Sequence, residues 1–147
     1  MAETLGMLCD KLTIVKLKQY HSTDEARLVS LQKQSAQLQQ EIDEYIQDAV
    51  DGAISPDRLT FDANKVFKSA GNEIKEVTGH FGEIFYQLAD VNCRLWHEQE
   101  KVYDFEVVPD DEKNGVVKQL AVLNLERNKC IDSINNLFSV LIIKQHS

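Results

Sequence analysis

Three stretches of this chain place polar side chains on or beside positions that helical spacing reserves for apolar ones. The first is Asp10, Lys11 and Thr13, set among Leu8, Leu12 and Ile14; the second is Asn92, Trp96 and Gln99; the third is Asn124, Arg127 and Asn128. Arg127 is the most exceptional of these. It interrupts the series Val116, Leu120, Leu123, Cys130, Ile134, Leu137, Leu141, whose three- and four-residue steps define one stripe of an amphipathic helix. A guanidinium on such a seam is costly unless it meets a negative partner. Two chemistries satisfy it. Arg127 pairs with Asp10 and ties the last helix to the first, or it grips the phosphate or carboxylate of a ligand. In the second case Trp96 offers a stacking plane, Asn92 and Asn124 orient polar edges, and Lys11 adds a second cation. Asp10, Thr13, Gln99 and Asn128 then form the structural polar network around that ligand set.

Catalytic and metal chemistry find little support. His80 and His97 are far apart, and neither a His-x-x-x-His nor a Cys-x-x-Cys pair occurs, so no zinc site is expected. Glu-x-x-His is also missing, against a di-iron bundle. Cys93 precedes His97 by one helical turn, but a mid-helix cysteine is ordinarily structural. Thr78-Gly79-His80-Phe81-Gly82 lacks the Gly-Lys-Ser/Thr ending of a phosphate loop. Lys65, Lys68 and Lys75 are balanced by Asp62, Glu73 and Glu76, which reads as a solvated face. No catalytic residue, metal or cofactor is assigned.

The elements that must position these residues are helical. The chain has 147 residues, 43% hydrophobic, with only two prolines and six glycines, and it lacks alternating β-branched runs. A first helix is expected over about 4–20, with Leu5, Leu8, Leu12 and Val15 inward. Ser22 with Glu25 reads as a capping box for a second helix reaching Val50, stopped by Gly52. Leu28, Leu31, Ser35, Leu38, Ile42, Tyr45 and Ala49 give that helix a heptad-like face. Ala53 to Asp62 is the clearest break, with Pro56 at the start of a helical turn. A short helix over 64–70 ends at Gly71, and Asn72 caps a long helix to about Phe105. Its stripe is Ile74, Val77, Phe81, Ile84, Leu88, Val91, Leu95, Gln99, Val102. Gly79 and Gly82 inside it call for close helix approach or a break, close approach being the preferred reading. Pro109 and the acids Asp110, Asp111 and Glu112 start a last helix running to about Ile143. The expected fold is all-α: one domain over 1–147, about four long antiparallel helices plus a short central helix. The long heptad-like faces predict a homo-oligomer.

Net charge is −8, which disfavours DNA or RNA as partners, and basic membrane attachment is unsupported. No signal peptide or membrane-length apolar run is read. Cys9, Cys93 and Cys130 fall on or beside apolar stripes and are expected to be buried free thiols in a reducing cytoplasm.

Asp10-Lys11-Leu12-Thr13-Ile14 followed by Lys16 or Lys18, then Val91-Asn92-Cys93-Arg94-Leu95-Trp96 with Glu98 and Glu100, then Asn124, Arg127, Ile134 and Asn135, resemble the motifs of a family of small helical bacterial proteins. Genes of that family often lie among surface-polysaccharide genes, and relatives occur in phages. The chain departs from the family pattern at Gln99, where an acid is usual. The resemblance implies a helical fold and supplies no activity; if the chain is phage-encoded, it implies the bacterial host cytoplasm and a role such as sequestering a signalling nucleotide. The functional expectation is a non-enzymatic binding protein for a small anionic ligand such as a nucleotide or nucleotide-sugar. The alternatives are a structural or interaction module with an internal polar network, and an enzyme of nucleotide or glycan-precursor metabolism.

Overall fold

The computed structural model describes residues 3–60 and 80–146. These form four α-helices: α1 (Leu5–His21), α2 (Glu25–Val50), α3 (Phe81–Tyr103) and α4 (Asp110–His146), with single 3-10 turns at Pro56–Arg58 and Phe105–Val107. No strand occurs among the described residues. None of the described helices is long and apolar enough to cross a membrane. The expected short helix over 64–70, its stop at Gly71, the Asn72 cap, Gly79 and the lysines Lys65, Lys68 and Lys75 lie outside the described residues.

The first two helices start where a side chain satisfies free amides. Thr4 caps α1, its Oγ1 accepting from the Met7 N–H at 3.3 Å. Asp24, rather than Ser22, caps α2: its Oδ1 accepts from the Ala26 N–H at 3.0 Å. The capping-box reading is therefore corrected by two residues, because the charged Asp24 side chain sits directly at the first free amides. The stop of α2 is a Schellman arrangement, with Gly52 at φ +79° and the Ala53 N–H donating to the Asp48 carbonyl at 2.8 Å. Helix α3 starts at Phe81, with His80 extended as its N-cap (φ −85°, ψ 169°), so no continuous helix passes through this point. A Cβ on Gly82 would meet nothing within 4 Å. Close approach therefore does not explain Gly82; it sits in the first turn of α3, where the alternative, a break at this point, agrees with the helix start at Phe81.

The core has two parts. The larger joins Leu5 and Cys9 of α1, Ala49 of α2, Leu59, Ile84 and Leu88 of α3, and the α4 residues Cys130, Ile131, Ile134, Phe138 and Ile142. The smaller joins Val91 and Leu95 of α3 to Leu123 of α4. The buried face thus steps around α4 along its length. Leu123 and Cys130 are buried on the expected stripe, but further on Phe138 and Ile142 are buried while Leu141 is 57% exposed. One residue is about 100° of helix turn. The shift accompanies the arrival of a second neighbour: Arg94 of α3 meets Glu126 in the first half, and in the second Gly6 of α1 meets Asn135 while Ile84 and Leu88 of α3 stay in the same core cluster.

Candidate functional site

The polar residues of α1, α3 and α4 meet around one carboxylate. Asp10, in the middle of α1, has a side chain only 5% exposed. Its Oδ1 accepts from Arg127 Nε at 2.9 Å and from Asn92 Nδ2 at 3.0 Å, and its Oδ2 accepts from Arg127 Nη2 at 2.5 Å. The guanidinium therefore binds the carboxylate in a two-point fork, the geometry in which arginine is strongest. Asn92 also donates to Thr13 Oγ1 at 2.6 Å, and the Thr13 hydroxyl in turn donates to the Asp10 carbonyl at 2.7 Å. Both amide hydrogens of Asn92 and the hydroxyl of Thr13 are thus committed.

Three helices position this set. Residues 10 and 13 are one turn apart on α1, so the Asp10 carboxylate and the Thr13 hydroxyl present to the same side. Burial of Leu88, Val91 and Leu95 sets the rotation of α3 that carries Asn92 inward. Leu123 and Cys130 do the same for Arg127 on α4. Arg127 itself is 31% exposed at the side chain, so the deeply buried charge is Asp10 and the arginine covers it from the rim.

Below this cluster, α1 lies close against α4. The Asn135 Oδ1 accepts from the Gly6 N–H at 2.7 Å, using a free amide of the first turn of α1. A Cβ on Gly6 would lie 2.5 Å from the Ile131 carbonyl oxygen and 2.8 Å from Asn135 Oδ1. Only glycine permits that approach. Asn135 Nδ2 is buried without a hydrogen-bond partner. On the opposite flank, Glu126 is buried and receives Arg94 Nη2 at 3.2 Å, while Arg94 Nε reaches Asp90 at 3.3 Å.

Of the five residues expected to hold an anion, only Asn92 and Arg127 come together, and both are bound to Asp10. Lys11 is exposed and pairs with Glu3. Asn124 is exposed. Trp96 is half-buried, stacked on His21 with ring centroids 4.8 Å apart, and donates Nε1–H to Glu100 at 3.0 Å. Among the residues expected to form a polar network, Asp10 and Thr13 are in it; Asn128 is half-buried and Gln99 is exposed. Glu126 and Gly6 escaped the sequence reading. The Glu126 position, one residue before Arg127, was readable as the edge of the same stripe. Gly6 next to the Thr4 cap gave no signal beyond a glycine in a first turn.

Cys9 and Cys130 are buried, and Cys93 is exposed, which corrects the expectation of three buried thiols. Cys93 follows Asn92 by one residue and so turns away from the Asp10 side of α3. Burial pushes the Cys9 thiol up to about 11, helped by the negative charge of Asp10. Cys130 is also raised to about 11 by burial, with Glu126 and Asp10 adding to the shift and Arg94 opposing it. Neither thiol is a nucleophile at neutral pH. Among the described residues, no group of His, Cys, Asp and Glu is placed to hold a metal ion. No family model, curated protein or solved structure matches the chain.

Proposed function

We propose that this chain is a non-enzymatic helical interaction module whose polar set is an internal tether rather than a ligand pocket. One observation carries the reading: Asp10 already takes two donors of Arg127 and one of Asn92. An anion at Arg127 would have to displace a buried carboxylate that has no other charged partner among its hydrogen bonds, leaving a charge whose desolvation is uncompensated. The internal network therefore fits the geometry better than the small anionic ligand at Lys11, Asn92, Trp96, Asn124 and Arg127.

The same contacts favour an antiparallel setting of α1 against α4, since Gly6 meets Asn135 and Asp10 meets Arg127. Assembly of copies is the function best matched to the surface. Val140, Leu141 and Ile143 are each at least half exposed near the end of α4, and Val29 is 55% exposed on α2. Apolar groups left on long helices suit a homo-oligomer. The family resemblance agrees with a small all-helical protein and adds no activity.

The test joins two measurements. Replacing Asp10 and Arg127 together by Leu and Met should recover most of the stability lost in Arg127→Ala, as apolar replacement of a buried pair does. Native mass spectrometry of the purified protein should show a defined oligomer carrying no small molecule. A monomer that retains an anionic compound released by Arg127→Ala would overturn the proposal.

A further inference from the structure

A concavity between α1, α2 and α3 borders the tether at Thr13. Its volume is about 660 Å³, inside the roughly 300–1,000 Å³ range of small-molecule sites. Leu12, Leu17 and Tyr20 of α1 and Phe85 and Ala89 of α3 supply its apolar walls, and Ser35 and Gln39 of α2 close the third side. Two of the residues lining the space are small. Ser35 interrupts the apolar face of α2, and Ala89 supplies no bulk from α3. Gln39 Nε2 donates to Ser35 Oγ at 3.1 Å, so these two polar groups serve each other. Tyr20 is 83% exposed, a large ring left in water on the same side of α1.

The charge of this groove runs against that of the chain. The protein has 24 acidic and 16 basic residues. Two other concavities follow that bias: one at the α3–α4 turn includes Glu98, Glu100, Asp104, Asp111 and Glu112, and one near the end of α2 includes Glu3, Glu41, Glu44 and Asp48. The α1–α2–α3 groove has no carboxylate among its described lining residues, and its basic side chains are Lys16 and His21. Lys16 is exposed and has no carboxylate partner among the described residues, whereas Lys11, Lys101 and Lys113 each have one. His21 lies about 7.5 Å further along the helix axis at 1.5 Å per residue, where it is held by the Trp96 stack.

We propose that this groove binds an amphipathic monoanion: an acyl chain of medium length lying between Leu17, Phe85 and Ala89, its carboxylate at the Lys16 ammonium. The apolar walls supply affinity in proportion to the area they cover. Lys16 supplies the preference for a negative head, in a chain whose net charge of −8 otherwise disfavours anions. The floor is rigid, since Thr13 is tied to both Asn92 and the Asp10 carbonyl. Thr13 is shared with the Asp10 network, but neither Asp10 nor Arg127 lines the groove, so binding here and anion binding at Arg127 are tested by different variants.

Decanoate below its micellar concentration is the probe, compared with decanol and decyltrimethylammonium. Trp96, the one tryptophan of the chain, reports binding through its contact with His21. One decanoate per chain should bind saturably, about tenfold more tightly than decanol, a preference of about 1.4 kcal/mol by the usual conversion. Lys16→Gln should erase that preference, and Ala89→Phe should abolish binding of both compounds. Equal binding of the cationic compound, undiminished binding to Ala89→Phe, or dissociation of an oligomer by Ala89→Phe would overturn the proposal. Should Ala89→Phe not fold, Cys93 in the unaltered protein decides, since it lines the groove and Cys9 and Cys130 are buried. Decanoate should slow its reaction with a thiol reagent at least tenfold, and an unchanged rate would sink the idea.

Discussion

Helices α1 and α2 follow one another directly and are held in place by opposite means. The 17-residue α1 buries Leu5, Gly6, Leu8, Cys9, Asp10 and Val15, and its hydrogen bonds reach α3 and α4. The 26-residue α2 buries only Leu31 and Ala49. Side-chain bonds run along its own surface: Gln34 to Ser30, Gln37 to Glu41, Gln39 to Ser35, Gln40 to Glu44 and Gln47 to Asp51. One helix is specified by what it touches, the other by neighbours one turn away. A heptad-like apolar series is therefore no measure of burial: α2 has the better repeat, and α1 has the better packing.

The comparison can be broken most forcefully at the tether. Arg127→Ala leaves Asp10 buried without its counter-charge, which costs about 3–5 kcal/mol for a fully enclosed pair. The partial exposure of Arg127 places the expected loss near the lower end, read as a fall in urea midpoint with an unchanged slope. A loss under about 1 kcal/mol would show that the pair behaves as a surface bridge. Next is Gly6→Ala, where the new methyl collides with the backbone of α4. Overpacking of this kind costs about 1–3 kcal/mol. A neutral result would mean that α1 and α4 separate freely at that end.

The buried thiols sharpen the contrast by pH. Cys9 and Cys130 rise from the ordinary thiol value of 9.0 to about 11 in the folded chain. Between these limits the unfolded chain has lost the protons that the folded one retains, so stability falls as pH rises from about 9 and the loss levels off above about 11. Replacing both cysteines by alanine should flatten this alkaline slope; a slope that persists would place its origin elsewhere. The smallest effect belongs to α2. Gln40→Ala removes one bond within the helix, and a change of no more than about 0.5 kcal/mol is expected by thermal melting. A larger change would mean that this surface of α2 is packed against something in solution.

Much of the architecture was legible from apolar spacing and punctuation. The first two helices, the Gly52 stop and the start of the last helix at Asp110 all follow from local rules, because they are satisfied within a few residues. The tether was half legible. Arg127 was conspicuous as a charge on a seam, and Asp10 was its natural partner. Which of the two is deeply enclosed was not, since burial depends on how α1 sits between α3 and α4. The outward positions of Asn124 and Gln99 were hidden for a similar reason. A polar residue beside a stripe looks the same in sequence whether the neighbouring helix covers it or passes by, and the covered face of α4 turns where α1 joins α3 against it.

The Asp10 cluster joins groups 82 and 117 positions apart along the chain. During synthesis, when residues are added at roughly 5–20 per second, the carboxylate on α1 emerges long before either of its partners. It stays hydrated while α2 and α3 are made and can be desolvated only once Arg127 has left the ribosome. Closure of the core is thereby deferred until α4 has been made, and an early collapse of α1 and α2 onto the wrong surface carries an electrostatic penalty until that helix arrives.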